Sequence, residues 1–468
     1  MRGERGRHRR YLRRQGMLPF VTEKRIHDEV TGRAGLTLVV EAFRSLRLDE
    51  EAVRLLPAPK RRRGFDAGEK LEALVSLIAD GGERVEDIQA LAADLGYLRL
   101  LEAGLPSPDA LLDFLNGFHD PGCWDGRPVE KKAFVPPESA ALRGLDELNR
   151  LLVERAASRG SRSATVDHDG TIIESHKRDA KVAYEGTRGY QPLVACWAEE
   201  QLVLADEFRG GNVAGGEDPL SSARRAFAHL PGWVQQRYYR ADSASYCESL
   251  LKWLVAEKIG FTISADMSRA LRAVCEAVPA RGWQLYERRT TETASVAEIE
   301  FAPGDWPKDA EPLRYVAIRF EPRQGSLFVD AGPKYLAVVS NRHDLAPTAL
   351  VQWHWEKAGT IEHVHRAMKD ELAAGVLPCE RFAANAAWFR INTLVFNLLT
   401  FLKRRALPKR FHDARPKRLR FEVFSIPARL TVRQRQLVAD VSSTDARTDE
   451  WIVARQRLLE LNEQLGQR

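Results

Sequence analysis

Val166-Asp167-His168-Asp169-Gly170-Thr171 is the stretch on which the reading of this chain turns. It lies in a run from Ala164 to Ile173 whose remaining positions are mostly apolar, the pattern of a β-strand. Side chains two apart on a strand point to one face, so Asp167 and Asp169 share it. A carboxylate inside a core strand is costly unless it is paired or bound to a cation. Gly170 and Thr171, directly after Asp169, let a ligand approach the backbone closely. An edge strand with two solvated aspartates has the same pattern, so the segment alone leaves both readings open.

The surrounding elements narrow the choice. Leu193 to Trp197 and Gln201 to Phe208 are two more apolar runs, followed by a helix at Ser221 to His229 and a short strand at Arg237 to Ala241. A helix from Ser245 to Lys258 and a strand from Gly260 to Ala265 come next. Three strands, a helix, a strand, a helix and a strand is the succession of a ribonuclease H-like α/β core. Asp242 ends the short strand Arg237-Tyr238-Tyr239-Arg240-Ala241-Asp242-Ser243, where α/β sheets gather ligand groups and where helix caps are also common. From Gly282 to Asn341 the sequence is alternating and β-prone, as in Tyr315 to Phe320, and reads as a β-rich insertion; helices resume from Pro347 to Leu402.

A third acid lies in Gly359-Thr360-Ile361-Glu362-His363-Val364-His365-Arg366-Ala367-Met368-Lys369. With a helix opening at Thr360, Glu362 falls in its first turn and shares a face with His365, Arg366 and Lys369. A surface salt-bridge ladder is the ordinary alternative. His363 and His365 diverge on a helix, which speaks against a shared zinc ion. Asp169, Asp242 and Glu362 in this order suit two divalent cations, which activate a water or 3′-hydroxyl and stabilise the leaving oxygen. Hard oxygen donors favour Mg²⁺, or Mn²⁺, over zinc.

Ahead of this core, residues 35 to about 118 carry helical periodicity, as in Leu36, Leu38, Val39, Phe43 and Leu46 and again in Leu71, Leu74, Leu77 and Ile78. Ser107 and Pro108 supply a helix start. The expected organisation is a basic flexible tail at 1–34, an all-helical DNA-binding or dimerisation domain at 35–130, the α/β core at 150–281, the insertion at 282–341, the Glu362-bearing remainder of the core at 342–406, and a basic segment with a final helix at 407–468. Of the 468 residues 44% are hydrophobic, enough for a globular core. Lys and Arg number 71 against 65 Asp and Glu, a net charge of only +6, yet basic residues cluster near the amino end, at Arg61, Arg62 and Arg63, and from Lys403 to Arg420. Such clusters suit phosphate contacts. Five scattered cysteines fit a reducing compartment better than a disulfide framework or a zinc ribbon. Leu394 to Leu402 is too short to span a bilayer. A cytoplasmic protein with no membrane partner is expected.

Taken together, these residues resemble the DDE transposases of bacterial insertion sequences, in the branch with a β-rich insertion between the second and third acids. The resemblance runs over roughly residues 35 to 430. It includes Gly189-Tyr190-Gln191-Pro192-Leu193, Arg240-Ala241-Asp242-Ser243, Val338-Val339-Ser340-Asn341 and Phe382-Ala383-Ala384-Asn385-Ala386-Ala387-Trp388. Of that family's Y-x2-R-x3-E-x6-K signature, Glu362 and Lys369 match, whereas Trp355 and Ala358 stand at the tyrosine and arginine positions. Arg366 or Lys357 is then the available cation. Asp169 fits the family's D-x-T better than Asp167, a same-face alternative. The resemblance implies metal-dependent cleavage at terminal inverted repeats, strand transfer into target DNA, and a homodimer bridging two DNA ends. Lys369, Arg366, His365 and Trp355, with Arg61 to Arg63, are the implied DNA contacts. A metal-dependent nuclease on the same core, or a decayed transposase that only binds DNA, are the competing readings.

Overall fold

The structure is a computed structural model and describes residues 29–58, 64–129, 133–304, 306–307, 311–322 and 332–466. The longer amino-terminal helices are α1 (Thr37–Ser45), α2 (Leu48–Leu55), α3 (Ala67–Asp80) and α4 (Pro108–Asn116), with two shorter ones at Ile88–Ala92 and Leu95–Leu101. Asp66 starts α3 with a capping box, its side chain accepting from Glu69 N while Glu69 reaches back to the Asp66 amide. Ser107 and Pro108 start α4 as the sequence predicts. A long helix, α5 (Ala140–Ala156), leads into the sheet.

The sheet begins with β1 (Ser163–Gly170), β2 (Leu193–Trp197) and β3 (Leu202–Glu207). Helix α6 (Pro219–Ala228), β4 (Gln236–Ala241), α7 (Glu248–Ala256) and β5 (Gly260–Ser264) follow, within a few residues of the predicted spans. β1, β2 and β3 pair antiparallel in turn, whereas β4 lies parallel to β1 and β5 parallel to β4. The predicted insertion forms four antiparallel strands, β6 (Gln284–Arg288), β7 (Glu292–Ile299), β8 (Arg314–Pro322) and β9 (Lys334–Ser340). β9 pairs with β5, so these strands extend one nine-stranded sheet in the order β6-β7-β8-β9-β5-β4-β1-β2-β3. Asn341 fixes the junction: its side chain accepts from Phe261 N at 2.9 Å and donates to Ile259 O at 2.8 Å.

Two long helices follow. α8 (Pro347–Arg366) passes into a π turn at Ala367–Glu371, and α9 (Phe382–Arg405) comes after it. Helices resume at Pro347 as the sequence predicts, and no separate helix opens at Thr360. Pro347 occupies the first turn, where its fixed φ and missing N–H are tolerated, so Glu362 falls near the carboxyl end of a 20-residue helix. α9 contains no Gly or Pro and is buried on all sides from Phe382 to Lys403. It packs on α1, α3, α5 and β3, and one apolar core runs through all of them. The amino-terminal helices thus share the core of the sheet rather than enclosing one of their own. Asn397 ties α9 to the sheet edge: it accepts from Val203 N at 2.7 Å and donates to Val203 O and Asn149 Oδ1, both at 2.8 Å. Among the described residues no helix is long and apolar enough to cross a membrane. The carboxyl-terminal part adds β10 (Ala428–Arg433), β11 (Gln436–Val441) and α10 (Ala446–Gly466), with β10 also pairing Val30–Thr31.

Candidate active site

β1 and β4 are parallel neighbours with His168 opposite Ala241, so Asp169 and Asp242 emerge side by side at their carboxyl ends. Both line a pocket of about 720 Å³, together with Thr171, Tyr184, Gln191, Gly216 and Lys369. One wall is a small ribbon formed by Ile173–Glu174, Lys181–Val182 and Arg188–Tyr190. Gly211 presses against this ribbon so closely that a Cβ there would lie 2.5 Å from Lys181 O.

Asp169 Oδ1 accepts from Gly170 N at 2.9 Å, and Asp169 Oδ2 accepts from Lys357 Nζ at 3.1 Å. Asp242 caps the short turn Ser243–Ser245 by accepting from Ala244 N at 3.1 Å. Burial pushes the Asp242 carboxyl above the usual carboxylate range; Lys357 opposes that shift and the nearby charge of Asp169 adds to it. Two carboxylates within electrostatic reach, one of them desolvated, thus face two lysines, Lys357 and Lys369. Lys369 Nζ donates to Ile172 O at 2.7 Å and Thr171 Oγ1 at 3.2 Å, which places its ammonium at the pocket wall.

The structure does not bring Glu362 to this pair. Its side chain is exposed on α8 and is not part of the pocket lining. Among the described residues, no three His, Cys, Asp or Glu side chains gather closely enough to hold a metal ion. Nor do the four predicted positions share one face: Glu362 and Arg366 are exposed together, whereas Lys369, beyond the end of α8, lines the pocket. The π turn shifts the phase of the helix before Lys369. His365 points inward; its Nε2 is buried with no hydrogen-bond partner among the described residues, and burial lowers its pKa to about 4 against the pull of Asp169. Lys357, one of two cations the sequence offered in place of the missing arginine, is the one at Asp169.

Trp355 is packed into the extension of the sheet. It lies edge-on to Tyr286 at 4.9 Å and stacked on Phe320 at 6.3 Å, with Arg289 over its ring at 5.3 Å. Arg61, Arg62 and Arg63 lie outside the described residues. Much of the basic run from Lys403 to Arg420 is paired with internal partners. Arg404 reaches Glu200 at 3.2 Å, Arg410 pairs with Glu422 and Glu450, Arg415 with Glu371, and Arg418 with Glu422. Arg420 donates to the carbonyls of Ile78, Ala79 and Glu371, and Lys403 is buried with its Nζ donating to Ala414 O.

Asp167, the same-face alternative to Asp169, is fully buried and bonded through both oxygens to Arg240, at 2.6 and 2.9 Å. Thr360 also donates to it. Arg240 and Thr360 escaped the sequence reading; the only signal was an arginine placed two residues before the second acid.

A family model described as transposase DDE domain group 1 matches residues 24–463, nearly the whole chain. The chain belongs to the DDE transposase family. No curated protein matches its sequence. Among solved structures, a cryo-EM structure of a piggyBac transposase synaptic complex with hairpin DNA is similar at 13% identity and a TM-score of 0.47, over 85% of this chain and 82% of that chain.

Proposed function

We infer that this transposase cleaves DNA at the terminal inverted repeats of an insertion sequence and joins the freed 3′ ends to target DNA. The observation that carries the reading is the emergence of Asp169 and Asp242 side by side at the ends of parallel strands, in a pocket that also holds Lys369. The strand order β3-β2-β1-β4-β5, three antiparallel and two parallel, supports a ribonuclease H-like core.

The donor set fits a hard divalent cation: the aspartates offer only oxygen, and the Asp242 carboxyl, desolvated and close to Asp169, is only partly compensated by Lys357. Asp169, Asp242 and Glu362 would hold two Mg²⁺ or Mn²⁺ ions, the Glu362 side chain moving toward the pocket to do so. When bound, such ions activate the attacking oxygen and stabilise the leaving one. Lys369 and Lys357 then grip the scissile phosphate, with Arg366 and His365 beside it and Trp355 supporting the strand of DNA nearest the extension. Residues 35–130, with Arg61, Arg62 and Arg63, are assigned to repeat recognition or dimerisation. A homodimer bridges the two ends, in a cytoplasmic setting without membrane attachment.

Duplexes carrying the DNA that flanks the coding region test this directly. Incubation with Mg²⁺ should give cutting at one phosphate of each end, followed by joined products, and chelation should abolish both. Cutting indifferent to end sequence identifies a nuclease instead, and binding without cutting identifies a decayed transposase.

A further inference from the structure

We propose that Asp167, Arg240 and Thr360 form a positioning triad that locks α8 to the strand ends carrying the two aspartates. The inference rests on the reading of the pocket as a DNA-cleaving site. Each member stands two residues before one of the proposed acids, Asp169, Asp242 and Glu362. Asp167 and Arg240 are direct partners across the parallel strands β1 and β4. Their side chains are 0% and 3% exposed, and the guanidinium grips the carboxylate with two hydrogen bonds of 2.6 and 2.9 Å. A planar fork on a carboxylate fixes direction as well as distance.

Among the described residues, the other hydrogen bonds shown by this pair go to α8. Arg240 Nη1 donates to Trp353 O at 2.6 Å and lies 3.3 Å from Glu356 Oε2, while its guanidinium covers the Trp353 ring at 5.4 Å. The Thr360 hydroxyl donates to Asp167 Oδ2. Two attachment points seven residues apart, at Trp353 and Thr360, fix both the height and the rotation of a helix. From that helix project Lys357, bonded to Asp169, and Glu362. On the strand side, residues two apart share a face, so the same pair sets where Asp169 and Asp242 emerge. None of the three lines the pocket, so the triad acts through the groups it holds.

Removing Arg240 would strand a buried carboxylate and endanger the fold. The informative change is Thr360→Val, which deletes one hydroxyl and no charge. In the full-length protein, the cleavage kcat with Mg²⁺ should fall about 10- to 100-fold, as when a change away from the chemistry misplaces the reacting groups. Mn²⁺ affinity measured by calorimetry should weaken about tenfold or more. The Kd for a DNA end should stay at the wild-type value, the melting temperature should fall by a few degrees at most, and Thr360→Ser should restore both the rate and the melting temperature. Wild-type kcat and Mn²⁺ affinity in Thr360→Val overturn the triad. So does a slow variant whose melting temperature falls in step and which serine does not rescue. Wild-type protein that binds Mn²⁺ at the pocket but never cuts DNA defeats the proposed function instead, and the Mn²⁺ comparison still tests the triad.

Discussion

Asp242→Asn is expected to abolish DNA cleavage while leaving the protein folded and able to bind DNA. Asparagine keeps the shape of the side chain and the oxygen that accepts from Ala244 N, so the turn at Ser243–Ser245 keeps its cap. What is lost is the charge. A divalent cation at a phosphoryl centre contributes several kcal/mol of transition-state stabilisation, and at about 1.4 kcal/mol per decade this corresponds to roughly a thousandfold in rate. Stability should move the other way. Burial raises the pKa of Asp242 in the folded state, so its ionised form opposes folding. The stabilising contribution of this group is complete below the ordinary carboxylate pKa and is lost as pH rises through the folded value. In metal-free buffer near neutral pH the asparagine variant should therefore melt no lower than wild type. Paired measurements of cleavage rate with Mg²⁺ and thermal melting with chelator check both halves. A cleavage rate within about tenfold of wild type would remove Asp242 from the reaction.

Arg390→Leu should be the most damaging single change away from the pocket. Arg390, on α9, is 2% exposed and binds three neighbours at once. It contacts Glu138 at 2.8 Å, the Asp206 carboxylate at 3.2 Å, and the carbonyls of Leu142 and Asp206 at 2.8 and 2.9 Å. It thereby joins α9, the start of α5 and the edge strand β3. Leucine fills much of the space but leaves the fully buried Asp206 without its counter-ion, and breaking a buried pair from one side costs about 3–5 kcal/mol. Burial already raises the Asp206 pKa against the pull of Arg390, so removing the arginine drives its protonation further. The variant should regain stability as pH falls toward the point where Asp206 takes a proton. Wild type should lose stability on acidification through Glu138. The arginines hold that carboxyl below its ordinary range despite burial, so its contribution is present above the unfolded pKa and is lost as pH falls through the folded one. Denaturant unfolding across pH reads the contrast. Equal midpoints for variant and wild type at neutral pH would show that the network contributes nothing.

The sequence was most informative where periodicity and local chemistry coincide. The core strands, the two aspartates at strand ends and the Ser107-Pro108 helix start all belong to that class. It was least informative where the partner is remote. Asp167 and Asp169 look alike on one strand face, and only the parallel register with Arg240 makes one a buried ion-pair partner and the other a pocket residue. The arginines from Arg404 to Arg420 look like phosphate ligands until Glu200, Glu371, Glu422 and Glu450 arrive from elsewhere in the chain. Alternation from Gly282 to Asn341 marked strands but not the edge they join, which depends on β5 presenting a free side to β9. The outward setting of Glu362 depends on how the helix that begins at Pro347 is rotated against the sheet, which local sequence does not give.

The central claim is that Asp169, Asp242 and Glu362 share a pair of hard cations, and the most direct measurement is anomalous diffraction at the manganese edge from crystals of the protein with a DNA end and Mn²⁺. The account predicts two peaks about 3.5–4 Å apart between the two aspartates, with the Glu362 carboxylate turned in to coordinate one of them. Manganese bound away from Asp169 and Asp242, or a filled site with Glu362 still facing solvent, would contradict it.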